Sequence, residues 1–212
     1  MTLLITGADG PLGQLATSYF QKKYDVKTAN GDIDLRQPTT TGDLVKGVGA
    51  ILHLGVYDPP LLIGSDSEQE WLDIAARGTY VLMQEACQAG VERVVLVSSM
   101  GLFDVYPPHY VVDETWQPEP APTSEGLAPY LAELTCREFS RQQKITSICL
   151  RFGTLSETEG TCQADALTAL NGALVMPLNP MGYRWLVFHV YSGKRFEMQS
   201  AKNALGFVQE TN

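Results

Sequence analysis

Residues Thr6 to Gly13 read T-G-A-D-G-P-L-G, the spacing TGxxGxxG. A glycine directly after a strand permits a tight turn. A second lets the backbone approach a pyrophosphate, and a third lets a helix pack closely on the sheet. The helix that opens there offers unpaired N–H groups and a partial positive charge to phosphates. A dinucleotide is therefore expected against Gly7, Asp9, Gly10, Pro11, Leu12 and Gly13; the alternative is a purely structural turn. An acid after the second strand favours NAD, because it bonds the ribose 2′-OH and repels a 2′-phosphate. Asn30 occupies that place with Asp32 close by, and no arginine lies in the loop or just after the strand. NAD is expected over NADP.

Other reactive side chains are scattered. His53 lies within an apolar strand and reads as a satisfied core histidine. His109, in a loop, is a candidate substrate contact, with a solvated loop residue as the alternative. Arg151, at a strand end, is a candidate for an anionic substrate group. Its alternative is a salt bridge to an acid in residues 113–119, a loop that Trp116 is expected to pack down. Cys87, Cys136, Cys149 and Cys162 form no CxxC pair and have no histidine cluster beside them, so reduced thiols and no metal site are expected.

These residues need a scaffold, and the hydrophobic pattern supplies one. Apolar runs at residues 2–6, 24–29, 50–54, 91–97, 146–152 and 184–191 read as strands. Helical spacing falls at 11–23, 41–46, 69–89, 126–143, 163–174 and 200–205. Strands alternating with helices imply a parallel α/β sheet, whose ligands bind at the carboxyl ends of the strands. A parallel neighbour needs a crossover of about a dozen residues, and none fits between Ala29 and Asp34. The sheet is expected to lack the helix and edge strand that usually follow the second strand.

Composition narrows the class. The 212 residues carry a net charge of −9, which argues against a nucleic-acid surface. No run reaches the ~18 apolar residues of a membrane span. The amino end has no basic region and enters a strand at once, so no signal peptide and a cytoplasmic setting are expected.

With these motifs in view, the chain resembles the extended short-chain dehydrogenases/reductases of the NAD-dependent epimerase/dehydratase family. The matching stretches are TGADGPLG at 6–13, DLRQP at 34–38, GVGAILHLG at 47–55, RGTYVLMQEACQAGVERVVLVSS at 77–99, PYLAELTCREF at 129–139 and FEMQSAKNALGF at 196–207. Within the family, SSMGLFDVYP and the brevity look most like uronate dehydrogenase-type members. The resemblance implies a Rossmann-like doubly wound parallel sheet with a shortened edge. Residues 1–155 would form the dinucleotide-binding domain and 156–212 a reduced C-terminal substrate region. It further implies that Asp34 and Leu35 contact the adenine, and that Leu54 and Gly55 line the pyrophosphate and ribose. Ser99 would polarise the substrate oxygen, with Ser98 the alternative register, and Tyr130 would exchange a proton with the substrate hydroxyl. Family members also suggest a homodimer through helices 69–89 and 126–143, to which Leu131, Leu134, Cys136 and Phe139 would add apolar surface.

Two departures stand against that pattern. The family places a lysine four residues after its tyrosine, holding the nicotinamide ribose and lowering the tyrosine pKa; here the position is Leu134. Bringing a free tyrosine from ~10 to neutrality takes about 4 kcal/mol, which leucine cannot supply. Ala75 stands where the family has an asparagine. Tyr19 and Lys23 also satisfy YxxxK, but they lie on the first helix, away from any nicotinamide. Two classes of function follow: an NAD-dependent oxidoreductase or epimerase on a sugar-like or hydroxy-acid substrate, or a non-catalytic NAD-binding sensor or scaffold.

Overall fold

A computed structural model describes residues 1–57, 67–179 and 182–207. Six strands form one sheet: β1 (Thr2–Thr6), β2 (Asp25–Ala29), β3 (Val48–His53), β4 (Arg93–Ser99), β5 (Thr146–Phe152) and β6 (Trp185–Val190). All pair in parallel, in the order β2-β1-β3-β4-β5-β6. The order reverses at β1, so a crevice opens at the carboxyl ends of β1, β2 and β3, where such folds bind ligands.

The four inner strands β1, β3, β4 and β5 are buried on both faces, which is why they read as near-continuous apolar runs. Side chains of a strand alternate between faces. Leu3, Ile5, Val95 and Val97 enter one core with Leu12, Ala16 and Phe20 of α1 (Pro11–Phe20) and Ala166, Ala169 and Leu170 of α6 (Gln163–Val175). Leu4, Val94 and Leu96 enter the other, with Val45 of α2 (Pro38–Val45), Trp71 of α3 (Ser67–Asp73), Leu82 of α4 (Thr79–Ala89) and Ala132 of α5 (Ser124–Arg141). Each such leucine or valine stabilises the fold by about 1.5–3 kcal/mol relative to exposure. A last helix, α7 (Gln199–Ala204), packs Ala201 into the first core.

Residues 31–35 form no strand, and β2 ends the sheet, as the missing crossover requires. The expected helix over 69–89 is not one regular helix. A π-helical turn, Ile74–Gly78, separates α3 from α4, and Gly90 closes α4 at φ 76°. Ladder pairing shifts the expected fourth strand from 91–97 to β4, and α5 starts earlier than expected because Thr123 caps it by accepting from the Gly126 N–H. Beyond residue 155 the chain contributes β6 to the same sheet and packs α6 on the first core.

Candidate functional site

The glycine loop needs its glycines. Gly7 has φ +69°, and a Cβ there would fall 2.6 Å from the Gly55 Cα. A Cβ on Gly13 would overlap the Gly7 carbonyl oxygen, so this glycine lets α1 approach β1. Gly10 is the N-cap of α1, with Pro11 in the first turn; no side chain caps the helix, and its first turn has no acid. Free N–H groups and a partial positive charge at that end suit an anion.

Above it lies a cavity of about 520 Å³. Of the residues expected to hold a cofactor, Gly7, Asp9, Gly10, Pro11, Asn30, Asp34, Leu35 and Gly55 line it. Leu12, Gly13 and Leu54 do not. Leu12 and Leu54 are fully buried in the core behind the loop, and Gly13 acts by close packing. The Asp9 carboxylate accepts from the Gly31 N–H at 3.1 Å, tying the glycine loop to the turn after β2.

Sequence reasoning missed part of this wall. Arg36 lines the cavity and joins three carboxylates. Its guanidinium grips Asp34 through Nε at 2.8 Å and Nη2 at 3.1 Å, and donates to Asp73 at 3.0 Å and Glu70 at 3.4 Å. The hydrogen bonds from Arg36 hold the Asp34 carboxyl below its ordinary pKa, and those to Asp34 raise the guanidinium's. The clasp ties the turn after β2 to α3. DLRQP contains Arg36 in plain view, but its partners on α3 lie more than thirty residues away.

His53 is a satisfied core histidine, and it also reaches the cavity. Nδ1 shares a 2.6 Å hydrogen bond with the Thr6 hydroxyl, and Nε2 a 2.9 Å bond with the Thr79 hydroxyl. Burial lowers its pKa to about 4, so the ring is neutral at pH 7. This chain of three side chains pins the π turn to the ends of β1 and β3. Ile74 of that turn lines the cavity, and Ala75 within it is buried.

Ser99 and Tyr130 lie to one side. Neither is among the described residues lining the cavity. Ser99, at the carboxyl end of β4, accepts from the Gly101 N–H at 3.0 Å and caps a 3₁₀ turn, Met100–Phe103. Ser98 is fully buried, and its hydroxyl has no partner among the described residues. Tyr130 is half-buried on α5, one residue beyond the in-helix Pro129. It packs against the apolar cluster formed by Met100, Leu102, Phe103, Val112 and Phe196, so the turn that follows Ser99 and the Tyr130 ring share one environment. Trp116 packs edge-on against Tyr106 at 4.9 Å and holds the loop down as expected. Arg195 fastens the same loop, donating to the carbonyls of Phe103 and Tyr106 at 3.0 Å each.

Arg151 differs from its expected cleft-facing position. It is buried and forms a two-pronged ion pair with Glu133 of α5, both bonds 2.8 Å. Its guanidinium lies 5.0 Å from the Phe103 ring centre. Its bonded partner is Glu133 rather than an acid of 113–119, although Glu114 of that loop adds its charge at Arg151 and accepts from the His189 N–H at 3.1 Å. β5 is buried along its whole length, so no strand periodicity marked which way Arg151 turns. His189 sits beside it, its pKa lowered to about 3 by burial and then by the Arg151 charge. His109 is exposed and packs on Tyr110 at 4.5 Å. Lys23, in the turn after α1, donates to the Tyr19 hydroxyl of α1 at 2.8 Å and also to Asn171. Cys136 is fully buried in the core and adds nothing to an outer surface. Among the described residues no acidic, cysteine and histidine side chains group to hold a metal, and no helix is long and apolar enough to cross a membrane.

Comparison with known proteins gives three findings. The family described as the NAD dependent epimerase/dehydratase family is matched by residues 3–165. Sterol demethylase protein B of Methylococcus capsulatus is 32% identical over 124 residues, which cover 50% of this chain and 37% of that protein. This chain thus spans well under two thirds of that relative's length. Among solved structures, MoeE5 in complex with UDP-glucuronic acid and NAD superposes with a TM-score of 0.77 at 17% identity, covering 100% of this chain and 95% of that one. Uronate dehydrogenase from Agrobacterium tumefaciens gives 0.78 at 18% identity, covering 100% and 85%. UDP-glucuronic acid 4-epimerase from Bacillus cereus in complex with NAD gives 0.77 at 13%, covering 100% and 92%. The superpositions establish the shared fold.

Proposed function

Because this chain belongs to the NAD-dependent epimerase/dehydratase family, we propose that it binds NAD and acts as an oxidoreductase or epimerase on a sugar-like or hydroxy-acid substrate. The observation that carries the reading is the uncapped start of α1 beneath a cavity of about 520 Å³, reached over a glycine at φ +69°. That volume falls within the range of small-ligand and cofactor pockets. The Gly7–Gly13 loop would hold the pyrophosphate, Asn30 would meet the adenosine ribose, and Asp34 and Leu35 would border the adenine. NAD bound there would supply a hydride acceptor. Ser99 would donate a hydrogen bond to the substrate oxygen, and the Tyr130 hydroxyl would exchange its proton with the substrate hydroxyl. The loop of residues 104–122 and the C-terminal residues beyond 155 would enclose the substrate and keep water from it.

A second reading has its own observation. Leu134 replaces the lysine, and among the described residues no hydrogen bond or cation contact reaches the Tyr130 hydroxyl. This favours NAD binding without turnover, as a sensor or scaffold. Calorimetric titration with NAD tests what the two share: micromolar binding supports both, and no binding by the wild type at millimolar NAD overturns both. Formation of NADH on mixing with uronic acids, hydroxy acids or nucleotide sugars then separates them.

Two further features extend the reading. The half-buried Leu131 and Phe139, with Tyr80 packed on Phe139 at 5.8 Å, would give α4 and α5 an outer face suited to a homodimer. Light scattering at micromolar concentration tests it, a monomeric mass counting against it. All four cysteines are free, which supports a reducing, cytoplasmic setting.

A further inference from the structure

A second cavity, of about 700 Å³, lies at the opposite end of the sheet. Its walls come from the end of α5 and from the residues that enter β6, at the amino ends of β5 and β6. The cofactor cavity lies at carboxyl ends, so the two are separated by the length of the strands. Arg137 and Arg141 stand four residues apart on α5 and share one helix face. Arg184 comes from the other wall, beside Tyr183 and Trp185.

The charge balance here is unusual for this molecule. The chain as a whole is at −9, with 15 cationic residues, yet three of them converge on one groove whose lining contains no acid. Glu138, just outside the lining, answers two of them, at 3.3 Å from Arg137 and 2.6 Å from Arg141. Those two also sit at the carboxyl end of α5, where cations are favoured by the helix dipole. Neither account covers Arg184. It makes no ion pair among the described residues, and its Nε is buried without a hydrogen-bond partner. A buried donor with no acceptor is unfavourable, and the half-buried Arg184 side chain lines the groove where a ligand oxygen would supply one. Guanidinium forks match phosphate oxygens in geometry and charge. Trp185 packs one side on the core and also lines the groove, and Tyr183 is 85% exposed above it. Both can cover the flat face of a bound ring.

We propose that this groove is a second binding site, for a small phosphorylated molecule, held by Arg137, Arg141 and Arg184 between Trp185 and Tyr183. It stands whether or not the first cavity takes NAD. The helix that carries Arg137 and Arg141 also carries Tyr130, so occupancy here bears on the same element that the proposed chemistry uses.

The test uses inorganic pyrophosphate on the full chain. The chain has three tryptophans, so the indole N–H signals of Trp71, Trp116 and Trp185 give three reporters in a nitrogen–proton NMR spectrum. Pyrophosphate should shift the Trp185 signal and leave the Trp71 and Trp116 signals in place. By calorimetry, Arg184→Ala should weaken pyrophosphate by about tenfold or more, the loss expected for a charged hydrogen bond. Arg184→Lys should weaken it less, because charge is kept and the fork is lost. Tighter binding of UDP than of pyrophosphate would identify a nucleotide as the ligand, and equal binding a bare phosphate; either supports the site. A Trp185 signal that stays fixed at millimolar pyrophosphate overturns it. So does a response confined to the amides of Gly7, Gly10 and Gly13, or equal weak binding by wild type and Arg184→Ala, which is the mark of an adventitious ion only.

Discussion

Glu133 and Arg151 form a two-pronged ion pair whose side chains are 6% and 5% exposed. Buried pairs of this kind are costly to break and cheap to replace as a unit. Glu133→Gln or Arg151→Met alone leaves one buried charge unanswered and should lower stability by about 3–5 kcal/mol. The double replacement Glu133→Leu with Arg151→Met should recover most of that. Urea unfolding of the three variants checks it, and a double variant as unstable as the worse single one would show that the pair stabilises the fold in its own right.

Acid should destabilise the protein earlier than its carboxylates alone would dictate. His53 and His189 stay neutral in the fold down to about 4 and about 3, against 6.5 for the free group. Below pH 6.5 the unfolded chain takes up protons that the folded chain refuses. Stability is therefore full above about 6.5 and falls as the pH drops through that window, by up to about 1.4 kcal/mol per pH unit for each histidine. For His53 the loss amounts to something on the order of 3 kcal/mol. Unfolding free energies measured between pH 7 and 4 check the sign. His53→Gln should flatten the slope.

Gly7→Ala should remove NAD binding and lower stability together. The added methyl group would meet the Gly55 backbone at 2.6 Å, and φ +69° is strained for any residue with a Cβ. Gly10→Val should behave differently. Gly10 has φ −70°, which valine tolerates, so its side chain should block the pyrophosphate path and leave the melting temperature within a few degrees of wild type. Calorimetry with NAD beside thermal unfolding separates the two outcomes.

How much of this the residues announced depends on where each partner lies in the chain. The glycine loop was legible because its spacing, its strand and its helix are contiguous. The truncated edge was legible because a crossover has a minimum length. The π turn at Ile74–Gly78 was not, since its 69–89 pattern fits a regular helix and the pin, His53 to Thr79, spans 26 residues. Arg151 was misplaced for the same reason. Its partner sits on a helix whose sequence gives no sign of which acid turns inward. Leu12 and Leu54 carry apolar side chains that fill the core beneath the cavity, which a motif alone does not reveal.

Leu134→Lys should tighten NAD binding or create dehydrogenase activity. Position 134 lies one turn beyond Tyr130, so an ammonium there would favour the tyrosinate by Coulomb attraction. The gain should be largest near neutral pH, where an unassisted tyrosine is almost wholly protonated. A pH–rate profile of both proteins over uronic acids, hydroxy acids and nucleotide sugars checks it. An alkaline limb near neutral pH in the wild type would show that another group already activates Tyr130.

Arg36→Ala should weaken NAD several-fold with little change in stability. The side chains of Asp34, Glu70 and Asp73 are a third to a half exposed, and exposed ion pairs contribute at most about 1 kcal/mol each. Without the arginine, three carboxylates would repel one another at this wall of the cavity. Binding titrations at low and high salt check this, because screening should restore part of the lost affinity.

Stopping the sheet at β2 also leaves a row of backbone amides and carbonyls with no strand beyond them among the described residues. Such an edge is a template on which a second molecule can continue the sheet. The edge strand carries two charges. Asp25 is exposed at its start, and Lys27 reaches across to the Lys46 carbonyl at 2.7 Å. Shortening the fold has thus left an open edge whose strand carries only these two charges. Replacing both by threonine should leave the cavity over the glycine loop intact and let copies of the chain assemble edge to edge as concentration rises.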